Sequence, residues 1–268
     1  MKISVISGPA AGRCCFLLGM LRSCLTATTY LGSSQEYAFH LISSNSDLDN
    51  VINRLFRMED RQNDLGDRLP AARPTFDDVF HMRLGNVPIE WNDIKSEAVR
   101  ALLQDSLIRM NKSDCIMICM DGSTLKNVTG SIQDIADNWY EENDGGDIDM
   151  FLRNYLRLND GKLPFICFVV TKMDTMDPNL LKGTTLDRIV SRTFPDWFEG
   201  RTRNGGHITA VCPISALGYE FMDGGPFNPV NAENPLLAAL KVVCGKSYGH
   251  LAGVRFYRDG KWIDESEI

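Results

Sequence analysis

Phe165-Ile166-Cys167-Phe168-Val169-Val170 runs directly into Thr171-Lys172-Met173-Asp174. The apolar run is too short for a core helix and rich in β-branched and aromatic residues, so it reads as a strand buried on both faces. The polar tetrad then leaves that strand's end. Residues 3–7, 116–121 and 208–213 have the same character. Between these runs lie helix-compatible stretches at 17–31, 98–110, 150–157 and 235–244, of which 98–110 has amphipathic spacing. Strands alternating with helices imply an α/β fold: a three-layer, mostly parallel sheet with right-handed crossovers and helices on both faces.

Around this frame, Val79 to Leu84 and Val87 to Trp91 flank Gly85-Asn86, a turn pair that predicts a hairpin and hence one antiparallel edge strand. Residues 34–75 form an insert with a strand-like run at 37–42 and a helix-like run at 48–58. Asn143-Asp144-Gly145-Gly146-Asp147 reads as a surface excursion, and a terminal hairpin within 253–264 turns at Asp259-Gly260. We read residues 1–268 as one domain carrying these additions.

A net charge of −7 argues against a nucleic-acid or anionic-membrane surface, because such partners reward a basic face. The apolar run at 14–21 is too short to span a bilayer and lacks a cleavage signature, so a cytoplasmic location is expected. Cys115, Cys119, Cys167 and Cys212 fall in strand-like runs, where a reduced thiol acts as a small hydrophobe, and no CxxC pair offers a zinc site.

The chemistry-bearing residues sit where strands end. Ser7 leads into Gly8-Pro9-Ala10-Ala11-Gly12-Arg13-Cys14-Cys15, a small-residue loop before a helix. There, backbone N–H groups and a helix N-terminus can face an anion. Against GxxxxGK[ST] only the second glycine, Gly12, is kept. Arg13 stands in the lysine's place with a bulkier planar fork, and Cys14 replaces the hydroxyl that a hard cation prefers. Asp174 can accept from both N1 and N2 hydrogens of guanine while the Lys172 stem packs on the base. After the strand at 208–213, the small residues of Ser215-Ala216-Leu217 would let backbone amides approach the guanine O6.

In order and spacing, Thr171-Lys172-Met173-Asp174 and Ser215-Ala216-Leu217 resemble the [NT]KxD and SA[KL] motifs of P-loop GTPases of the translation-factor and Ras-like class. The long insert and the Asp93-x-x-Ser96-Glu97 segment bring it closest to the bacterial double-GTPase families, with a degenerate phosphate loop. The resemblance implies binding of GTP or GDP through Gly8, Gly12, Arg13, Cys14, Cys15, Thr171, Lys172, Asp174, Ser215, Ala216 and Leu217. It implies a Mg²⁺ site at Thr75 and Asp93, and catalytic roles for Glu97 and Arg13. Glu97 occupies the place of the glutamine that orients water in Ras-like members. A carboxylate there cannot donate to the transferring group, so slow or absent hydrolysis is expected. The expected function is that of a guanine-nucleotide switch or pseudo-GTPase acting on a partner protein. The alternatives are a competent GTPase using Arg13 and a nucleotide-free scaffold.

Overall fold

Alternate residues of the central strands point to opposite faces, and each face is capped by its own set of helices. In the computed structural model, Ile3, Val5, Cys115, Met117, Cys167 and Val169 belong to one buried cluster, whereas Ile6, Ile116, Ile118, Ile166, Phe168 and Val170 belong to another. This period of two is what a pleated strand covered on both sides requires. The structure describes residues 1–30, 39–43, 78–200, 205–223, 225–248 and 251–268. The helix expected at 48–58 lies outside them, and so do Thr75 and most of the insert.

Among the described residues the sheet has nine strands: β1 (Lys2–Ser7), β2 (Phe39–Ser43), β3 (Asp78–Leu84), β4 (Val87–Asp93), β5 (Cys115–Asp121), β6 (Phe165–Thr171), β7 (Ile208–Pro213), β8 (Arg255–Arg258) and β9 (Lys261–Ile263). Their spatial order is β2-β3-β4-β1-β5-β6-β7-β8-β9. Strands β4, β1, β5, β6 and β7 run parallel, and the outer pairings are antiparallel. The antiparallel edge expected from the hairpin at Gly85-Asn86 is present. A second one arises because the terminal hairpin, turning at Asp259-Gly260, adds β8 to the open edge of β7.

Helices α1 (Arg13–Tyr30) and α8 (Asn234–Cys244) contribute Phe16, Leu17, Leu236 and Leu240 to the first cluster. The other face carries α2 (Ser96–Arg100), α3 (Gln104–Met110), α4 (Ile132–Glu142), α5 (Gly145–Leu158), α6 (Thr185–Thr193) and α7 (Pro195–Glu199). Among the described residues no helix is long and apolar enough to cross a membrane.

Two expectations need correction. The amphipathic stretch 98–110 is two helices, because Leu102 adopts a φ of 49° and the Leu103 amide bonds back to the Ala98 carbonyl at 3.0 Å. That is a Schellman closure without the usual glycine, so no sequence signal marks it. Residues 143–147 are not a surface excursion: Asn143 is buried, and α5 already begins at Gly145.

Candidate functional site

Parallel strands bring their carboxyl ends to one rim, and the register sets how the ends align. Val5 pairs with Asp93, Ser7 with Cys119, Asp121 with Thr171, and Val170 with Pro213. The loops after β1, β4, β5, β6 and β7 are therefore neighbours. β1 sends its following helix α1 to one face, and adjacent β4 sends α2 to the other. A crevice opens where neighbouring connections part in this way, and in open α/β sheets that is where ligands bind.

The loop after β1 has two residues in the left-handed region, Ala10 (φ 58°) and Gly12 (φ 75°). The Gly12 carbonyl accepts the Phe16 amide at 2.8 Å and starts α1. The amides of Ala10, Ala11 and Gly12 donate to no described group. Unused donors in a curved loop at a helix N-terminus form a concavity suited to an anion. Gly8 has a different constraint. A Cβ there would lie 2.4 Å from the Asn143 carbonyl oxygen, so its missing side chain is already required by packing.

Asn143 and Asp121, which sequence reasoning did not single out, tie the end of β5 to α4 beside this loop. Asn143 Oδ1 accepts the Asp121 amide at 2.6 Å, its Nδ2 donates to the Trp139 carbonyl at 3.0 Å, and Trp139 Nε1 donates to the Asp121 carbonyl at 2.7 Å. Asp121 Oδ1 accepts from the Ser123 amide and hydroxyl at 2.8 and 2.6 Å. Its Oδ2 meets Lys172 Nζ at 2.5 Å. No motif identifies this pair; only the alignment of Asp121 with Thr171 does.

The tetrad after β6 is tied to both neighbouring loops. Thr171 Oγ1 lies 2.7 Å from the Ala11 carbonyl and 3.1 Å from the Met120 carbonyl, so its single proton is shared between them. A Cβ on Gly12 would sit 3.4 Å from Thr171 Oγ1 and 3.9 Å from Lys172 Cε, which places Gly12 against both residues. Burial pushes the Cys15 thiol up, and the Lys172 charge opposes that shift.

The Met173 amide donates to the Ile214 carbonyl at 2.9 Å, which fixes Asp174 beside the loop after β7. In that loop Ser215 exchanges two backbone hydrogen bonds with Val230, at 3.0 and 2.8 Å, and its hydroxyl accepts the Gly218 amide at 3.1 Å. The Ala216 amide donates to no described group. Leu217 is partly buried and its carbonyl accepts the Asn228 amide at 3.2 Å. Tyr219, also not foreseen, stands exposed close enough to Asp174 for the carboxylate to add to burial in pushing the phenol up.

On the opposite side of the rim, Arg13 Nε lies 2.5 Å from Asp93 Oδ1. Both side chains are buried, Asp93 completely. The approach is too bent for a linear hydrogen bond, so charge holds the pair. Beside it, burial and then Asp93 push the Cys14 thiol up to about 11, against the pull of Arg13. Cys14 is thus a neutral thiol at ordinary pH. Glu97 is exposed in the first turn of α2. Its own backbone amide, the Ser96 hydroxyl and the Arg13 charge hold its carboxyl below the usual range, so it is an anion.

The described residues do not fit Mg²⁺. A hard dication needs several oxygen ligands. Here the one buried carboxylate is engaged by a guanidinium, the neighbouring hydroxyl position is a neutral thiol, and Thr75 falls outside the described residues.

Compared with known proteins, the chain matches no protein-family model and none of the curated proteins.

Proposed function

We propose that this rim is a guanine-nucleotide site and that the protein works as a nucleotide-responsive switch or pseudo-GTPase on a partner protein. The observation that carries this reading is the joining of the anion-facing loop to the Thr171–Asp174 tetrad by the Thr171 hydroxyl, 2.7 Å from the Ala11 carbonyl. Phosphates would lie against the unused amides of Ala10, Ala11 and Gly12. The base would lie between Lys172 and the Ala216 amide, with Asp174 accepting from N1 and N2.

The strand ends and loop order support the P-loop GTPase resemblance: a small-residue loop follows β1, Thr171-Lys172-Met173-Asp174 leaves the end of β6, and Ser215-Ala216-Leu217 follows β7. The machinery for hydrolysis is weaker. Glu97 is an anion and cannot donate to a transferring phosphoryl group, and Arg13 has its charge partly offset by Asp93. Slow or absent turnover follows from those two facts.

A second reading, a nucleotide-free scaffold, is favoured by one specific observation. The basic side chains nearest the loop are neutralised internally, Arg13 by Asp93 and Lys172 by Asp121. Denaturing freshly purified protein and chromatographing the released nucleotide separates the two, with thermal unfolding in added GDP, GTP and ATP as the companion measurement. Recovered guanine nucleotide, or a Tm raised by GDP and GTP but not ATP, supports the switch. Silence from all three in a folded protein leaves the scaffold.

A further inference from the structure

We infer that Arg13 permanently occupies the charge position of a divalent cation, so that this site binds its nucleotide without metal. The inference rests on the guanine-nucleotide reading for its ligand and on the Arg13–Asp93 contact for its mechanism.

Two elements far apart in sequence meet to make that contact. The register of β1 on β4 pairs Val5 with Asp93, and the Ile94 amide donates to the Val5 carbonyl at 3.0 Å. The end of β4 is therefore flush with the loop that launches α1. Arg13, the first residue of α1, drops its guanidinium onto the Asp93 carboxylate at 2.5 Å, and both lie out of solvent. A buried carboxylate needs a counter-charge, and it has one supplied by the chain. A dication brought to the same carboxylate would face the guanidinium at close range with little water to screen the repulsion. Cys14, next along the helix, presents sulfur where a hard cation takes oxygen.

Arg13 also has capacity left for an anion. Its Nη1 is buried and has no hydrogen-bond acceptor among the described residues. Buried donors are nearly always satisfied, so this nitrogen has room for an acceptor beyond the described residues, such as a ligand oxygen. A phosphate oxygen there would meet the same guanidinium that neutralises Asp93. One side chain then does two jobs: it satisfies the buried carboxylate and contacts the phosphate.

The test titrates fluorescently labelled GDP into the whole chain in excess Mg²⁺ and again in EDTA. The expected result is the same Kd in both, within about threefold. Weakening in EDTA by more than roughly tenfold overturns the inference. If GDP binds in neither buffer the guanine reading fails, and the exclusion of the cation is decided on the protein alone. The electron paramagnetic resonance signal of free Mn²⁺ should then persist when protein is added, and Mn²⁺ should leave the Tm unchanged. Capture of Mn²⁺ by the wild type that is lost in Asp93→Asn overturns it. Arg13→Ala supplies the positive arm. With its counter-charge gone, Asp93 should recruit Mn²⁺ and the Tm should rise with added metal, an effect absent from the Arg13→Ala/Asp93→Asn double variant. A folded Arg13→Ala protein indifferent to Mn²⁺ counts against the inference. Should Arg13→Ala not fold, the wild-type Mn²⁺ spectrum is decisive by itself.

Discussion

The Thr171 hydroxyl lies 2.7 Å from the Ala11 carbonyl and 3.1 Å from that of Met120, so one proton links the loop after β1 to the ends of β5 and β6. Thr171 is buried. Thr171→Val keeps the shape and removes the donor, leaving buried carbonyls short of a partner, at a cost of about 1–3 kcal/mol. Urea unfolding measures that loss, and Thr171→Ser should recover most of it. If Thr171→Val matches the wild type, the hydroxyl is not what holds the loop.

Arg13 and Asp93 form a buried pair, and removing one partner of such a pair is far costlier than replacing both. Arg13→Met should destabilise by about 3–5 kcal/mol, whereas Arg13→Met/Asp93→Asn should recover a large part of that loss. A double-mutant cycle by urea unfolding checks it. Additive single effects would mean that the two charges are coupled to other groups more than to each other.

The strands were legible because burial on both faces leaves short apolar runs rich in β-branched and aromatic residues, as at Phe165 to Val170. Thr171 to Asp174 and Ser215 to Leu217 could be read as candidate motifs because each is continuous in sequence. Contacts between loops were not. Asp93 meets Arg13, and Asp121 meets Lys172, only because parallel strands align in one particular register, and residue spacing does not encode register. The role of Asn143 was hidden for a related reason: its neighbours read as a polar turn, yet its side chain satisfies the Asp121 amide inside the fold. The break at Leu102 lacked the glycine that usually announces a left-handed residue.

Close backbone approaches give a sharper steric prediction. A Cβ on Gly8 would lie 2.4 Å from the Asn143 carbonyl oxygen, and one on Gly19 would lie 2.4 Å from that of Ala216. Backbone cannot swing aside as a flexible side chain can, so Gly8→Ala and Gly19→Ala should each cost about 1–3 kcal/mol. Gly146→Ala is the control, since its nearest neighbour would be the Tyr140 hydroxyl at 4.0 Å. Thermal unfolding of the three variants should rank the control closest to wild type.

His207 sets a pH dependence. Burial lowers its pKa, and the Trp197 backbone and Asp259 only partly oppose the shift. The unfolded chain therefore takes up the proton more readily than the folded one, so stability falls as pH drops below the ordinary histidine range near 6.5. Above that range neither state is protonated and His207 contributes no slope. Urea unfolding across mildly acidic pH should show the decline, and His207→Gln should flatten it. A wild-type stability that rises on mild acidification would contradict the assignment.

Asp174 carries the base selectivity of the proposed site. It lies in the turn Met173–Thr175, held by the Met173 amide's bond to Ile214 and facing Tyr219. A carboxylate accepts from both N1 and N2 of guanine, whereas an amide sets one donor against one of those hydrogens. Asp174→Asn should therefore weaken GDP by roughly 100-fold, equivalent to about 3 kcal/mol. Xanthosine diphosphate offers an oxygen in place of the amino group, so it should bind the variant better than GDP does. Competition of both diphosphates against a labelled nucleotide, run on wild type and variant, reads the exchange directly. An unchanged order of preference would place the base somewhere other than against Asp174.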